Sequence, residues 1–518
     1  MLNNNILLIL CCLSTAFSCN TKKKEINQPT LPNIVLIMGD DIGFSDLGSY
    51  GSEIQTPNLD RLAENGIRFS RFYNMSKCET SRSVMLTGLY QGGEDTRPLS
   101  EYMKNAGYRT IMTGKEHFQK WVPDSCYAKH SFDRSLTYPV INEFFVPPSG
   151  KFDRPFSLNG QPFDMVALDT GDIPLYKTNV ITDYALGFLK EANHDKKPFF
   201  LYLPYHTAHY PLQALPDDIE KYRGKYRKGW DNLRKERYER MKKMGVIEEN
   251  VVLSPPEGNV NKFRGHPKGD EDIREKIPLY RPWETLSEKE QDDLDLEMAV
   301  FAAMVDRMDQ NIGRIINYLE ETGQLDNTLI MYLSDNGSCP YDSNRDFDVP
   351  PGGPGSYRTL CAAWANVGNT PFRYFKQYGH AGGSNTHFIA HWPGNVPKGK
   401  TTFSPGHVVD IVPTLLEIIN AHKEDGDKIT PDYPLDGLSL LPVMKGGQRK
   451  EPEYFISGMP KFRMYSRGKW KIVKTNNEEW ELYDIQADRA ELNNLAEEQP
   501  EKAQELAEMY ERWEASRQ

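Results

Sequence analysis

Four short apolar runs in this chain stop abruptly at polar clusters. NIVLIM (33–38) ends in Gly39-Asp40-Asp41, and YRTIMT (108–113) ends in Gly114-Lys115-Glu116-His117. PFFLYL (198–203) runs on to His206 and His209, and TLIMYL (328–333) ends in Ser334-Asp335-Asn336-Gly337. Each run is short and rich in β-formers, the pattern of a buried strand. Between them lie helical periods, the clearest over 296–319, where Met298, Phe301, Val305, Met308, Ile312, Ile315 and Leu319 form one stripe that faces a core. Strands alternating with helices predict an α/β sheet, and such sheets bind ligands beyond the carboxyl ends of their strands. The four polar clusters are therefore expected in one crevice.

At 518 residues the chain exceeds what one core usually supports, so a large domain and a smaller one are expected. The apolar stretch 6–13, followed by small residues up to Cys19, is too short to span a bilayer and reads as an export signal. The predicted division is signal 1–19, solvated tether 20–30, main domain 31–424 and C-terminal subdomain 425–518. In the subdomain a β-alternating stretch precedes the amphipathic helix PEKAQELAEMYERWEASR. The net charge of −11 argues against a nucleic-acid partner or a general affinity for anionic membranes. Seven cysteines, of which four remain beyond the signal and Cys19, are too few and too scattered for a disulfide scaffold, although a Cys339–Cys361 bridge is compatible with export. The charged region 215–295 reads as solvated helix and loop, and the Gly/Pro-rich 339–370 as a long binding loop or lid.

The clusters differ in their chemistry. Asp40, Asp41, Asp335 and Asn336 offer only oxygen ligands, which suits Ca²⁺ or Mg²⁺ rather than zinc. Lys115, His117 and His209 suit an oxyanion. In KCETSRSVMLTG (77–88), Thr80 and Ser81 are both able to cap a helix whose first N–H groups attract an anion, with Arg82 adding a planar fork of donors and Cys78 at the edge. Taken singly, each cluster reads equally as a turn or a surface patch, and Cys78 as a buried structural thiol.

Together the segments are similar to the type I sulfatases. Cys78-Glu79-Thr80-Ser81-Arg82 with Leu86-Thr87-Gly88 resembles their C-x-P-S-R signature, in which the cysteine is oxidised to Cα-formylglycine. PNIVLIMGDDIGFSDLGSYG, NAGYRTIMTGKEH, FFLYLPYHTAHYPLQ, TLIMYLSDNG, NTPFRYFKQYGHAGG and WELYDIQADRAELNNLA follow in the family's order over nearly the whole exported chain. The resemblance implies an alkaline-phosphatase-like sandwich: a large central mixed sheet flanked by helices, with a small C-terminal subdomain holding an antiparallel sheet and a terminal helix. It implies that Asp40, Asp41, Asp335, Asn336 and the modified Cys78 bind Ca²⁺, with Mg²⁺ as the alternative. Arg82, Lys115, His117, His209 and Lys376 would surround a sulfate ester, with His380 reaching the leaving group or substrate. One hydroxyl of the hydrated aldehyde would attack sulfur; His209 or Lys376 would protonate the leaving alcohol, and His117 would take the proton of the second hydroxyl.

The implied partners are a sulfated carbohydrate, such as an oligosaccharide released from a sulfated polysaccharide, and a formylglycine-installing maturation enzyme. Tyr341, Tyr357 and Trp364 are divided between stacking on sugar rings and ordinary packing. STAFSC resembles a lipobox in which Cys19 is lipidated, which implies a bacterial cell-envelope lipoprotein, periplasmic or outer-membrane-anchored, touching membrane only through that anchor, with a plain secretory signal as the alternative. Three departures stand out: Thr80 and Ala208 replace prolines, and Ala381 replaces a glutamate. The alternatives are a phosphodiester or phosphonate monoester hydrolase of the same superfamily, and a non-catalytic envelope glycan-binding protein with an unconverted cysteine.

Overall fold

The computed structural model describes residues 31–93, 96–118, 131–140, 143–146, 155–165, 175–256, 281–341, 349–459 and 461–517. The export signal, Cys19, the tether, Cys126 and parts of the charged region and of the 339–370 segment lie outside the described residues.

All four apolar runs are strands: Asn33–Gly39, Arg109–Lys115, Phe199–Pro204 and Thr328–Ser334. They lie side by side and parallel, in the order Thr328–Ser334, Asn33–Gly39, Phe199–Pro204, Arg109–Lys115. Their uniform apolarity follows from burial on both faces. Val35 and Ile37 enter one core and Ile34, Leu36 and Met38 the other, as the two-residue strand period requires. The 11-stranded sheet is mixed, because Asn385–His391 pairs antiparallel with both Thr328–Ser334 and Ile67–Tyr73. The register aligns the strand ends: Gly39 pairs with Ser334, Met38 with Pro204 and Met112 with Tyr202, so the residues after each strand emerge at one edge. A second, antiparallel sheet of Phe455–Met459, Phe462–Arg467, Trp470–Thr475 and Glu481–Asp484, followed by the helix Pro500–Ala515, completes the chain.

Several expectations change. The striped helix runs over Glu288–Glu321, beginning earlier than its stripe because Ser287 and Glu290 form a capping box. The charged region is not simply solvated: on the helix Trp230–Lys243, the fully buried Arg237 binds Asp46 at 2.6 Å and Glu53 at 2.8 Å. The 339–370 segment contains the helix Ala362–Gly368, and Trp364 packs against Trp230 and Trp283 in the core, where it has no access to a sugar ring. Cys339 and Cys361 are buried free thiols, so the bridge compatible with export does not form.

The long helix also holds the start of another. Asp309, fully buried, accepts from the backbone N–H of Leu59 at 2.8 Å and of Asn58 at 3.0 Å, and from Asn58 Nδ2 at 2.8 Å. It thus caps the helix Pro57–Glu64, which has no side-chain cap of its own. Asp309→Ala strands these donors and is expected to cost about 2–3 kcal/mol, read as a lowered urea midpoint.

Candidate active site

The shared edge gathers most of the polar residues singled out above. Asp41 turns the chain after Gly39 with φ 61°, and its N–H reaches Asp335 Oδ1 at 3.3 Å. After the neighbouring strand another backbone segment packs close: a Cβ on Gly337 would stand 1.8 Å from the carbonyl oxygen of Gly382, so only glycine fits there. Cys78 is the first residue of the helix Cys78–Thr87. Thr80 and Ser81 are therefore inside the helix rather than capping it; Thr80 Oγ1 donates to the Lys77 carbonyl and Ser81 Oγ accepts from Met75 N.

The side chains then interlock. Arg82 grips Asp335 Oδ2 through Nη2 at 2.7 Å and Nε at 3.0 Å, and its Nη2 lies 3.7 Å from Asp40. Lys115 Nζ binds Asp40 Oδ2 at 2.5 Å, and Lys376 Nζ binds Asp41 Oδ1 at 2.5 Å. Asn336 Nδ2 donates to that same Oδ1 at 2.7 Å. His209 Nε2 lies 3.6 Å from Asp41 Oδ2, while its Nδ1 faces the Tyr210 carbonyl at 2.7 Å. His117 Nδ1 stands 3.2 Å from Cys78 Sγ. His380 faces elsewhere: its Nε2 pairs with Glu481 at 2.7 Å, and its ring lies against Tyr374.

Two groups escaped the sequence reading of the site. His206, buried and stacked on Phe144, has an Nε2 without a hydrogen-bond partner among the described residues, and its ring lies 5.3 Å from that of His209. The signal was present in the spacing His206-Thr207-Ala208-His209. Tyr210 joins Tyr341 and Tyr357 at ring separations of 5.9 Å, and Lys376 Nζ lies 5.6 Å from the Tyr341 ring.

Three carboxyl groups face three basic side chains, so their formal charges cancel and a bound divalent cation would leave the cluster at a formal +2, suited to an anionic ester. Burial opposes ionisation of Asp40, yet Lys115, with Arg82 and Lys376, holds its carboxyl well below the usual range. Burial and the adjacent Asp40 push Asp335 upward against Arg82. Burial, with Lys115 and Arg82, lowers His117 to about 2, and burial with Lys376 holds His209 well below the ordinary histidine range. Both imidazoles are neutral at physiological pH.

The donor set fits a hard cation. Asp40 Oδ1, Asp41 Oδ2 and Asn336 Oδ1 are buried acceptors without a hydrogen-bond partner among the described residues, and such oxygens are costly unless something positive meets them. Ligand atoms of Asp40, Cys78 and Asp335 lie within 4.8 Å of one another, as do those of Asp40, Asp41 and His209. An oxygen-dominated set of this kind matches Ca²⁺ or Mg²⁺.

The sulfatase family model matches residues 32–421. An uncharacterized sulfatase of Schizosaccharomyces pombe is 31% identical over 541 residues, covering 92% of each chain. The arylsulfatase of Klebsiella aerogenes is 29% identical over 459 residues, covering 80% of this chain and 92% of its own. Among solved structures, Ps i-CgsB in complex with k-i-k-neocarrahexaose shares the fold, with a TM-score of 0.66 at 22% identity over 94% of each chain.

The orphaned oxygens generate a direct test. Calcium should raise the melting temperature of the wild type, by the equivalent of about 2.7 kcal/mol at 100 times the dissociation constant, and a chelator should reverse the rise. Asn336→Ala, which removes one ligand and no charge, should shrink the shift. A wild type indifferent to both Ca²⁺ and Mg²⁺ rules out the cation site.

Proposed function

We propose that this chain, which belongs to the sulfatase family and is a sulfuric ester hydrolase, removes sulfate from carbohydrate chains, with Cys78 converted to formylglycine as the attacking residue. The observation that carries the reading is the position of Cys78: first in its helix, 3.2 Å from a neutral histidine, beside the interlocked Arg82, Asp335, Asp40 and Lys115. Asp40, Asp41, Asp335 and Asn336, with residue 78, would hold the divalent cation, which when bound supplies positive charge to the ester oxygens. Formylglycine supplies, as its hydrate, one hydroxyl to attack sulfur and a second whose deprotonation releases sulfate and restores the aldehyde.

The remaining roles follow from protonation and restraint. His117, within hydrogen-bond reach of residue 78, would act as the base for the second hydroxyl. Arg82 is held at two points by Asp335, so its charge stays fixed as the ester reacts. Either His209 or Lys376 was expected to protonate the leaving alcohol, and the geometry favours Lys376. Neutral His209 directs Nδ1–H at the Tyr210 carbonyl, which leaves a lone pair on Nε2. Asp41 keeps Lys376 charged against the effect of burial, so its ammonium has a proton to give. His380, bound to Glu481, acts by holding the Lys376 segment in place.

Support for a carbohydrate comes from the aromatic group of Tyr210, Tyr341 and Tyr357 next to Lys376 and from the fold shared with Ps i-CgsB, solved with a neocarrahexaose. The same reading includes export to the cell envelope, anchoring through Cys19, and maturation by a formylglycine-installing enzyme.

Two measurements test it. The tryptic peptide 78–82 from the native host should carry the aldehyde mass, and Cys78→Ala should lower aryl sulfate turnover by more than about 10³-fold while an aryl phosphate diester remains the poorer substrate of the wild type. Dominant phosphodiester activity, or an unmodified thiol, defeats the proposal. Lys376→Ala should slow a sugar sulfate about 10²-fold more than an aryl sulfate, because a phenolate leaves without help and a sugar alkoxide does not. Equal losses on the two substrates would remove Lys376 as the acid.

A further inference from the structure

A cavity of about 610 Å³ lies apart from the catalytic cluster, where the edge of the large sheet meets the C-terminal sheet. Arg71 and Tyr73 reach it from the strand Ile67–Tyr73, Phe403 from beyond the edge strand Lys400–Thr402, Gln448 and Arg449 from the next connection, and Phe455 from the strand Phe455–Met459. No residue of the catalytic cluster lines it.

The lining excludes most ligands. Glu451 is its one carboxylate, too few for a metal ion. Arg71 shares Glu248, at 2.8 Å, with Arg489, Arg449 pairs with Asp410 at 2.9 Å, and Glu451 lies in the lining, so a bare anion meets little net charge. Apart from prolines, its aliphatic content is Ile485, too little for a lipid. What remains is aromatic faces beside amides and hydroxyls. The Tyr73 and Phe455 rings pack 5.7 Å apart and are each only 8% exposed, so the ring offered to a sugar is that of Phe403, 38% exposed and one of four large apolar side chains exposed among the described residues. Arg449 is rigidly set by the Leu438 and Pro405 carbonyls at 2.7 Å each, and its Nε is buried without a hydrogen-bond partner among the described residues. A ring for a C–H face and fixed polar groups for hydroxyls are the chemistry of a sugar site.

The cavity is also tied to the nucleophile. Tyr73 precedes Cys78 by five positions, so their Cα atoms stand at most about 18 Å apart, within the reach of an oligosaccharide. The opposite wall joins the same connector: Gly458 N–H donates to the Met75 carbonyl at 3.3 Å, and Ser457 Oγ lies 2.7 Å from Ser76 Oγ. We propose that this cavity is a second carbohydrate-binding site, holding a distal part of the glycan whose sulfate ester lies at residue 78. The proposal rests on the carbohydrate-sulfatase reading and deepens it: the substrate is an oligosaccharide or polysaccharide rather than a free monosaccharide.

The test is affinity electrophoresis of the full chain through gels carrying kappa-carrageenan, chondroitin sulfate, heparin or fucoidan, comparing wild type with the double variant Phe403→Ala, Gln448→Ala. Both side chains are exposed, and an unchanged melting temperature checks the fold. The wild type should be retarded in at least one gel and the double variant should not. On fragments of that polysaccharide the variant should show KM raised about fivefold at unchanged kcat, with aryl sulfate turnover intact. Equal retardation of the two proteins, or free passage of the wild type through all four gels, overturns the second site. Failure of the wild type to hydrolyse any sulfate ester strikes the underlying reading instead, while the gels still report on the cavity.

Discussion

Everything at the catalytic edge depends on one balance of buried charge. Asp40, Asp41 and Asp335 and their partners Arg82, Lys115 and Lys376 are each no more than 2% exposed. Removing one member of such a set leaves an uncompensated charge in a medium that solvates it poorly, at a cost of about 3–5 kcal/mol. The same balance has a chemical use. Each aspartate holds a lysine or arginine stationary, and Asp40 and Asp41 each retain an oxygen that no protein group satisfies among the described residues. The cluster is complete in charge but incomplete in hydrogen bonding, which is the condition under which a divalent cation and an anionic ester bind together.

The sheet makes that balance achievable. Asp40 and Asp335 are neighbours because Gly39 pairs with Ser334, and Lys115 comes close because its strand pairs with the one that pairs with Asn33–Gly39. Parallel strands with both faces buried must be apolar throughout, so their polar ends were visible in the sequence as sudden changes of composition. The partners of each polar residue were not. Asp40 and Asp335 lie far apart in the chain, and only the register joins them. The assignment of the set to one ester therefore came from resemblance to a family, while the fold class came from the pattern itself.

What the sequence hid has a common cause. Arg237 reads as one more charge on a basic helix until Asp46 and Glu53 fold against it. Trp364 is a candidate sugar platform until Trp230 and Trp283 enclose it. His380 follows the Lys376 segment in sequence, but its partner Glu481 comes from the C-terminal sheet, as does Lys471, which binds Glu491. Through these contacts, and through Arg373 on the Glu491 carbonyl, the C-terminal unit fixes the loop that carries Lys376. Local pattern reports the period of an element, whereas these roles are defined by partners remote in the chain. The early start of the helix Glu288–Glu321 is different, because its capping box is local and was present as Ser287-Glu288-Lys289-Glu290.

The three departures from the family's pattern fall where other hydrogen bonds fix the backbone. At position 80 the helix has only begun, and a proline there would lack an N–H that the first turn does not need; threonine keeps the turn closed by donating Oγ1 to the Lys77 carbonyl at 2.9 Å. At position 208 the exchange adds a contact: Ala208 N–H donates to the Asp40 carbonyl at 2.7 Å, a bond that proline cannot make, so the His209 segment is tied directly to the acidic loop. At position 381 the backbone N–H of Ala381 donates to Glu491 of the C-terminal unit at 2.9 Å. None of the three exchanges removes a carboxylate or a cation from the buried cluster.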